Sequence, residues 1–177
     1  MKLTTYFLFI LCLVACKDQV TSTSESITAK EIEQEVVESA IPSYDFDGLA
    51  AEYLHKENDT TYVVNFWATW CKPCVKELPI FEQVHTEHAK EPLKVVLVSL
   101  DFPDKVNDLV VPFIEKKGLQ SEVVLLNDDD SNRWIPLVSE NWSGAIPATV
   151  VVKNGRAVFK EGSHTYESLQ TDIQSIL

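Results

Sequence analysis

The stretch "VVNFWATWCKPCVKELP", residues 63–79, holds two cysteines, Cys71 and Cys74, separated by two residues. They lie where one periodicity gives way to another. The β-branched and aromatic run Thr61–Ala68 reads as a buried strand. After it, Val75, Leu78, Phe81 and then Val84 or His85 recur with helical spacing. Pro79 inside that helix is expected to bend it, because it removes an amide donor and crowds the preceding turn. Cys71 is therefore expected at a helix start, beside unpaired amides and the positive end of the helix dipole. Both favour thiolate, the attacking species in thiol exchange. Cys74, one turn later, is close enough to attack a mixed disulfide and release a partner. Pro73 fits the first turn, where a missing amide hydrogen is not needed. Trp67 is expected to pack in the core, and Trp70 to lie exposed beside Cys71.

Outward from this stretch, strand and helix patterns alternate. Residues 46–56, "FDGLAAEYLHK", read as helical, with Leu49, Tyr53 and Leu54 toward a core. Leu93–Asp101 is a second continuous apolar strand, so the intervening helix makes a βαβ unit with parallel central strands. A further helix contains Pro112 and ends at Gly118. "EVVLLN" is a short strand. "ATVVVKNGRAVFKEG" is a hairpin around Asn154-Gly155, a preferred two-residue turn. The chain closes on an amphipathic helix through Tyr166, Leu169, Ile173 and Ile176. Residues 128–144 carry Trp134 and Trp142, which either line a partner-binding face or cap the core.

The chain has 177 residues, enough for one domain with a substantial core. Its formal net charge of −12 and its lack of Lys/Arg clusters argue against nucleic acid as a partner. Residues 1–15 form one cation, Lys2, followed by an apolar run too short to span a bilayer, which reads as a secretory signal. Its end, Leu13-Val14-Ala15-Cys16, resembles a bacterial lipobox, with cleavage before Cys16 and lipid attached to it. Residues 16–40, rich in Ser, Thr and Glu and without an aromatic residue, read as a flexible tether. The folded domain is expected at 41–177. Cys12 then leaves with the signal and Cys16 carries lipid. Cys71 and Cys74 remain as one close pair, in a compartment where disulfides persist.

"NFWATWCKPC", then "KELP", and later "GAIPATVVVKNGR" resemble the membrane-tethered thioredoxin-like reductases of the TlpA/ResA branch, from about Asp45 to Leu177. The resemblance implies an α/β thioredoxin-like fold, with a central mixed β-sheet flanked by helices. It implies a thiol–disulfide oxidoreductase that acts as a reductant of partner proteins in a periplasm or on a cell surface, with an upstream thiol electron donor. No cofactor is implied beyond the redox-active Cys71–Cys74 disulfide. Many thioredoxins place a buried Asp in the strand before the active site to relay protons; that position here is Asn65, which cannot titrate. The branch instead places a Glu three residues after its second cysteine, which corresponds to Glu77. Residues three apart lie on neighbouring helix faces, so Glu77 can approach Cys74 from the helix surface. The resemblance also implies a cis Pro147 facing the cysteines. Ile146 would then offer backbone groups to an incoming strand, alongside Trp70, Lys72 and Pro73.

Rival uses of the pair are weaker. Attachment of c-type haem requires His after the second cysteine, and residue 75 is Val. A zinc site needs two further ligands; His85 and His88 lie about three turns beyond Cys74, too far to share an ion with it. The proline-threonine-cysteine arrangement of related peroxidases is absent. A copper-delivery protein using both cysteines remains the alternative, with His164 as its third ligand.

Overall fold

The computed structural model describes residues 41–177. The signal and tether assignments, Cys12 and Cys16 included, lie outside the described residues. A six-stranded mixed sheet runs in the order β1-β4-β3-β2-β5-β6. Its strands are β1 (Ser43–Tyr44), β2 (Thr61–Trp67), β3 (Leu93–Ser99), β4 (Glu122–Leu126), β5 (Ala148–Lys153) and β6 (Arg156–Glu161). The pairings β1–β4, β4–β3 and β3–β2 are parallel, whereas β2–β5 and β5–β6 are antiparallel. Among the described residues, five α-helices accompany it: α1 (Phe46–Leu49), α2 (Lys72–Glu87), α3 (Val111–Lys117), α4 (Ser131–Val138) and α5 (Tyr166–Ile176).

β2 is buried along its whole length, which explains why it reads as one apolar run instead of an alternation. Successive side chains still point to opposite faces. Val63 and Trp67 enter one core with Leu78, Phe81 and Val84 of α2 and Leu169 and Ile173 of α5. Tyr62, Val64 and Phe66 enter a second core with Phe46, Leu49, Trp134 and Trp142. Burial of each such large apolar side chain contributes about 1.5–3 kcal/mol. Asn65 lies between Val63 and Trp67, so its polar side chain is directed into the α2 side of the sheet and needs a buried partner there.

Several elements depart from their sequence reading. α1 continues as a π-helical turn, Ala50–Leu54, still burying Leu49, Tyr53 and Leu54. The predicted helix before Gly118 is built in three parts: a 3-10 turn at Pro103–Lys105, a π-helical turn at Val106–Val110, then α3 with Pro112 in its first turn. Gly118, at φ 65°, closes α3 in the left-handed region, where a side chain would be strained. β1 was not foreseen; two residues are too few for a periodicity to show. The 128–144 segment contains α4, capped by the Asp130 carboxylate. Trp134 and Trp142 are both 5% exposed, so they cap the core rather than present a partner-binding face. Trp134 Nε1 donates to the Asp128 carbonyl and Trp142 Nε1 to the Ala145 carbonyl.

Candidate active site

The loop joining β2 to α2 is pinned from below. Thr69 donates through its amide to Asp101 Oδ2 at 3.0 Å and through its hydroxyl to Asp101 Oδ1 at 2.6 Å. Ser99 Oγ donates to the same carboxylate at 2.9 Å. This buried Asp101, just beyond β3, fixes where α2 begins. The next residue, Trp70, is 61% exposed, while Trp67 is fully buried and packs against Phe113.

Cys71 is the N-cap of α2, and its sulfur accepts a hydrogen bond from the Cys74 amide at 3.3 Å. Cys71 and Cys74 are joined in a disulfide. Cys71 retains 6% exposure and Cys74 none, so an incoming group reaches Cys71 first. On its other side Cys71 Sγ lies 3.7 Å from the Ile146 carbonyl oxygen. The Ile146–Pro147 peptide bond is cis, as the resemblance implied. Pro147 is buried, Ile146 half-buried, and Lys72 and Pro73 are exposed at the first turn of α2. The Ile146 carbonyl thus lies beside the more accessible sulfur, and Trp70, Lys72 and Pro73 are exposed next to it along the chain.

Glu77 requires a correction. A helix-surface position was expected, yet it is 2% exposed. Its Oε1 accepts from Asn65 Nδ2 at 3.0 Å, and its Oε2 accepts from the His164 amide at 2.8 Å. Ser163 donates to it as well. Asn65 Nδ2 also reaches Thr149 Oγ1, at 3.1 Å, because β2–β5 pairing sets Asn65 opposite Thr149. Burial pushes the Glu77 carboxyl above the usual carboxylate range. The His164, Asn65 and Ser163 hydrogen bonds and the Lys160 charge hold it back. This raised carboxyl sits one helical turn from Cys74. Deleting the carboxylate would leave two buried donors unpaired, at about 1–3 kcal/mol each, whereas a surface Glu is worth little.

His164 is also buried, and its titration is lowered to about 4, chiefly by burial and then by Lys160. Its Nδ1 lies 3.1 Å from Ser168 Oγ and its Nε2 3.9 Å from Asp172 Oδ2. Both ring nitrogens therefore face α5 side chains, which does not suit the copper ligand that the alternative reading requires. Among the described residues, no group of three His, Cys, Asp or Glu side chains is placed to hold a metal. His88 is engaged by Glu91 and Gln170.

Sequence reasoning missed Thr149, Ser163, Lys160 and the His164 amide as neighbours of Glu77. The twofold alternation of β2 could have placed Asn65 on the α2 face. Its partner on β5 depends on strand register, which no local pattern reveals.

A sequence model of the AhpC/TSA family matches residues 39–159. The chain belongs to that family. It is similar to the thiol-disulfide oxidoreductase ResA of Geobacillus thermodenitrificans, at 30% identity over 64% of this chain and 61% of the relative. It also resembles the sporulation thiol-disulfide oxidoreductase A of Bacillus subtilis, at 35% identity over 36% of this chain and 38% of the relative. Among solved structures, StoA from Bacillus subtilis aligns with a TM-score of 0.50 and 28% identity, covering 64% of this chain and 83% of that one. A thioredoxin-related protein from Neisseria meningitidis serogroup B shares the fold, with a TM-score of 0.58 at 24% identity, covering 69% of this chain and 88% of that one. The match to ResA thus spans about three-fifths of that relative's length. The fold is the thioredoxin-like one: a mixed sheet with helices on both faces.

Proposed function

We propose that the protein is a thiol–disulfide oxidoreductase that exchanges a Cys71/Cys74 dithiol with disulfides of partner proteins, working as a reductant. The observation that carries this reading is the disulfide at the start of α2, with one sulfur accessible beside the Ile146 carbonyl and the other buried one turn before Glu77. In the reductive direction, the Cys71 thiolate attacks a partner sulfur and a mixed disulfide forms, expelling the first partner thiolate. Cys74 then passes its proton to Glu77 and attacks Cys71 Sγ. The Cys71–Cys74 bond forms, the bond to the partner breaks, and the second partner sulfur leaves as thiolate. Two electrons pass from the dithiol to the partner. An upstream thiol donor restores the dithiol.

The same proposal places the domain outside the cytoplasm, held to a membrane by lipid on Cys16 at the end of a 16–40 tether. The signal-like residues 1–15 and the similarity to ResA and StoA support that placement. Among the described residues, no helix is long and apolar enough to cross a membrane. The test is a redox titration of the purified protein, paired with turnover of a protein disulfide. Reversible two-electron cycling at Cys71/Cys74 with catalytic turnover supports the reading. Tight stoichiometric copper binding without turnover would sink it.

A further inference from the structure

The carboxylate of Asp101 is buried, and the donors it accepts from are neutral: the Thr69 amide, the Thr69 hydroxyl and the Ser99 hydroxyl. Burying a charge costs free energy that packing alone does not return. The reaction described above makes no use of this group. Its grip falls on one turn. Residues 68–71 form a turn closed by the Cys71 amide, which donates to the Ala68 carbonyl at 3.1 Å. Thr69 is the second residue of that turn and Cys71 the fourth. The base of the turn is tied to the end of β3, where the Leu100 amide donates to the Trp67 carbonyl at 2.8 Å. Its second residue is tied to the same strand end by both oxygens of Asp101. Ser99 in turn fixes the carboxylate: its hydroxyl donates to Oδ2 and accepts from the Asp101 amide at 3.1 Å.

We propose that Asp101 is a positioning residue: by holding Thr69 it keeps Cys71 Sγ facing Cys74, raises the effective concentration of one sulfur at the other, and biases the pair toward its disulfide. This rests on the oxidoreductase reading above and deepens it, since a pair biased toward its disulfide gives up electrons and so acts as a reductant. Cys74 sits inside α2, whereas Cys71 is the N-cap and belongs to the turn. The relative placement of the two sulfurs therefore depends on how the turn is held as well as on the helix. Two restraints on one turn reinforce each other, because ordering it for one lowers the entropy cost of the other. The grip on Thr69 is thus worth more when the disulfide is closed, and its loss costs the disulfide form more than the dithiol form. An interaction equally strong in both forms cancels from the redox equilibrium. A purely structural Asp101 would leave that equilibrium where it was.

Two measurements on the full-length protein test this. One equilibrates it with glutathione or dithiothreitol redox buffer. The other mixes the reduced protein with an excess of an aromatic disulfide, high enough that the first step outpaces the second. Cys71 attack releases a first aromatic thiolate. Cys74 then loses its proton and attacks Cys71 Sγ; the Cys71–Cys74 bond closes and the second aromatic thiolate leaves. Asp101→Asn removes the charge and one acceptor. Thr69→Val keeps the charge and the shape but removes the hydroxyl, and serves if the Asn variant does not fold. Thr69→Ser restores the hydroxyl. In Asp101→Asn the equilibrium should move toward the dithiol by about tenfold, ~30 mV for a two-electron couple, and the second thiolate should slow by about tenfold relative to the first. Thr69→Val should move both in the same direction by about threefold, because the amide of residue 69 still reaches Asp101, and Thr69→Ser should return the parent values. A folded Asp101→Asn or Thr69→Val protein with the parent equilibrium and the parent ratio of rates overturns the positioning role. A shift in Asp101→Asn with none in Thr69→Val overturns it too, by assigning the effect to charge. Absence of any second thiolate from the parent defeats the oxidoreductase reading itself, and the proposal with it.

Discussion

His164 gives the domain a calculable sensitivity to acid. Its ring is buried, edge-on to Phe81 at 6.2 Å, and its titration falls from an ordinary 6.5 to about 4. Burial disfavours the imidazolium, Lys160 adds repulsion, and Asp172, 3.9 Å from Nε2, does not offset them. The folded-state value is depressed, so the unfolded chain binds a proton that the folded one refuses. Stability tied to His164 is therefore fully present above pH 6.5 and is lost as pH falls toward 4. At ~1.4 kcal/mol per pH unit, a drop of that size corresponds to about 3 kcal/mol. Glu77 acts with the opposite sign: its raised carboxyl gains stability as pH falls through its own titration, so the parent curve alone mixes the two. The difference between parent and His164→Gln isolates the histidine, because Gln cannot titrate and leaves the backbone amide on Glu77 in place. Urea unfolding of the oxidised proteins from pH 7 to pH 4 should show the variant gaining about 3 kcal/mol on the parent across that range. Parallel stability curves would show that His164 is not held neutral by its surroundings.

Three further outcomes follow from the site. Cys74→Ser should leave Cys71 able to attack but nothing to resolve the adduct, so mixed disulfides through Cys71 accumulate on non-reducing gels; adducts on Cys71→Ser instead would reverse the two roles. Glu77→Gln keeps a carbonyl for the His164 amide but no proton acceptor. Its resolution step should slow by roughly 100-fold and lose the rise with pH that follows Glu77 ionisation, and superimposable pH–rate profiles would remove Glu77 from the reaction. Cys16→Ser should shift the protein from the membrane to the soluble fraction, or stop its maturation, without changing the unfolding midpoint of the domain; unchanged partition and processing would rule out the lipid anchor.

What the sequence revealed depended on whether the physics was local. The buried strand Thr61–Trp67, the helix opened by Cys71 and the Asn154-Gly155 turn are all visible in short windows, because burial on both faces, capping and turn chemistry act over a few residues. The surroundings of Glu77 are not local. They join β2, α2, β5 and the segment before α5, over separations of 12 to 87 residues. A helical Glu three residues from a cysteine looks like any solvated Glu until the final helix closes over it. Similarly, Trp134 and Trp142 within a polar stretch could be either partner contacts or core. Their stacking and tilting against Phe66 decides for the core, and it arises only when α4 folds back on the sheet.

The Asn65 amide presents a donor on one end and an acceptor on the other. In the oxidised protein its Nδ2 is directed at the Glu77 carboxylate, and its Oδ1 is buried without a hydrogen-bond partner. A half-turn about the last side-chain torsion would exchange the two ends. A protonated Glu77 could then donate to Oδ1, while the Thr149 hydroxyl, which can give or take a hydrogen, accommodates either orientation. An aspartate at this position would instead set two carboxylates against each other, and a leucine would follow neither state. The residue that forfeits a titratable group in the strand thus supplies a reversible polarity, able to turn with each proton that Glu77 gains or loses.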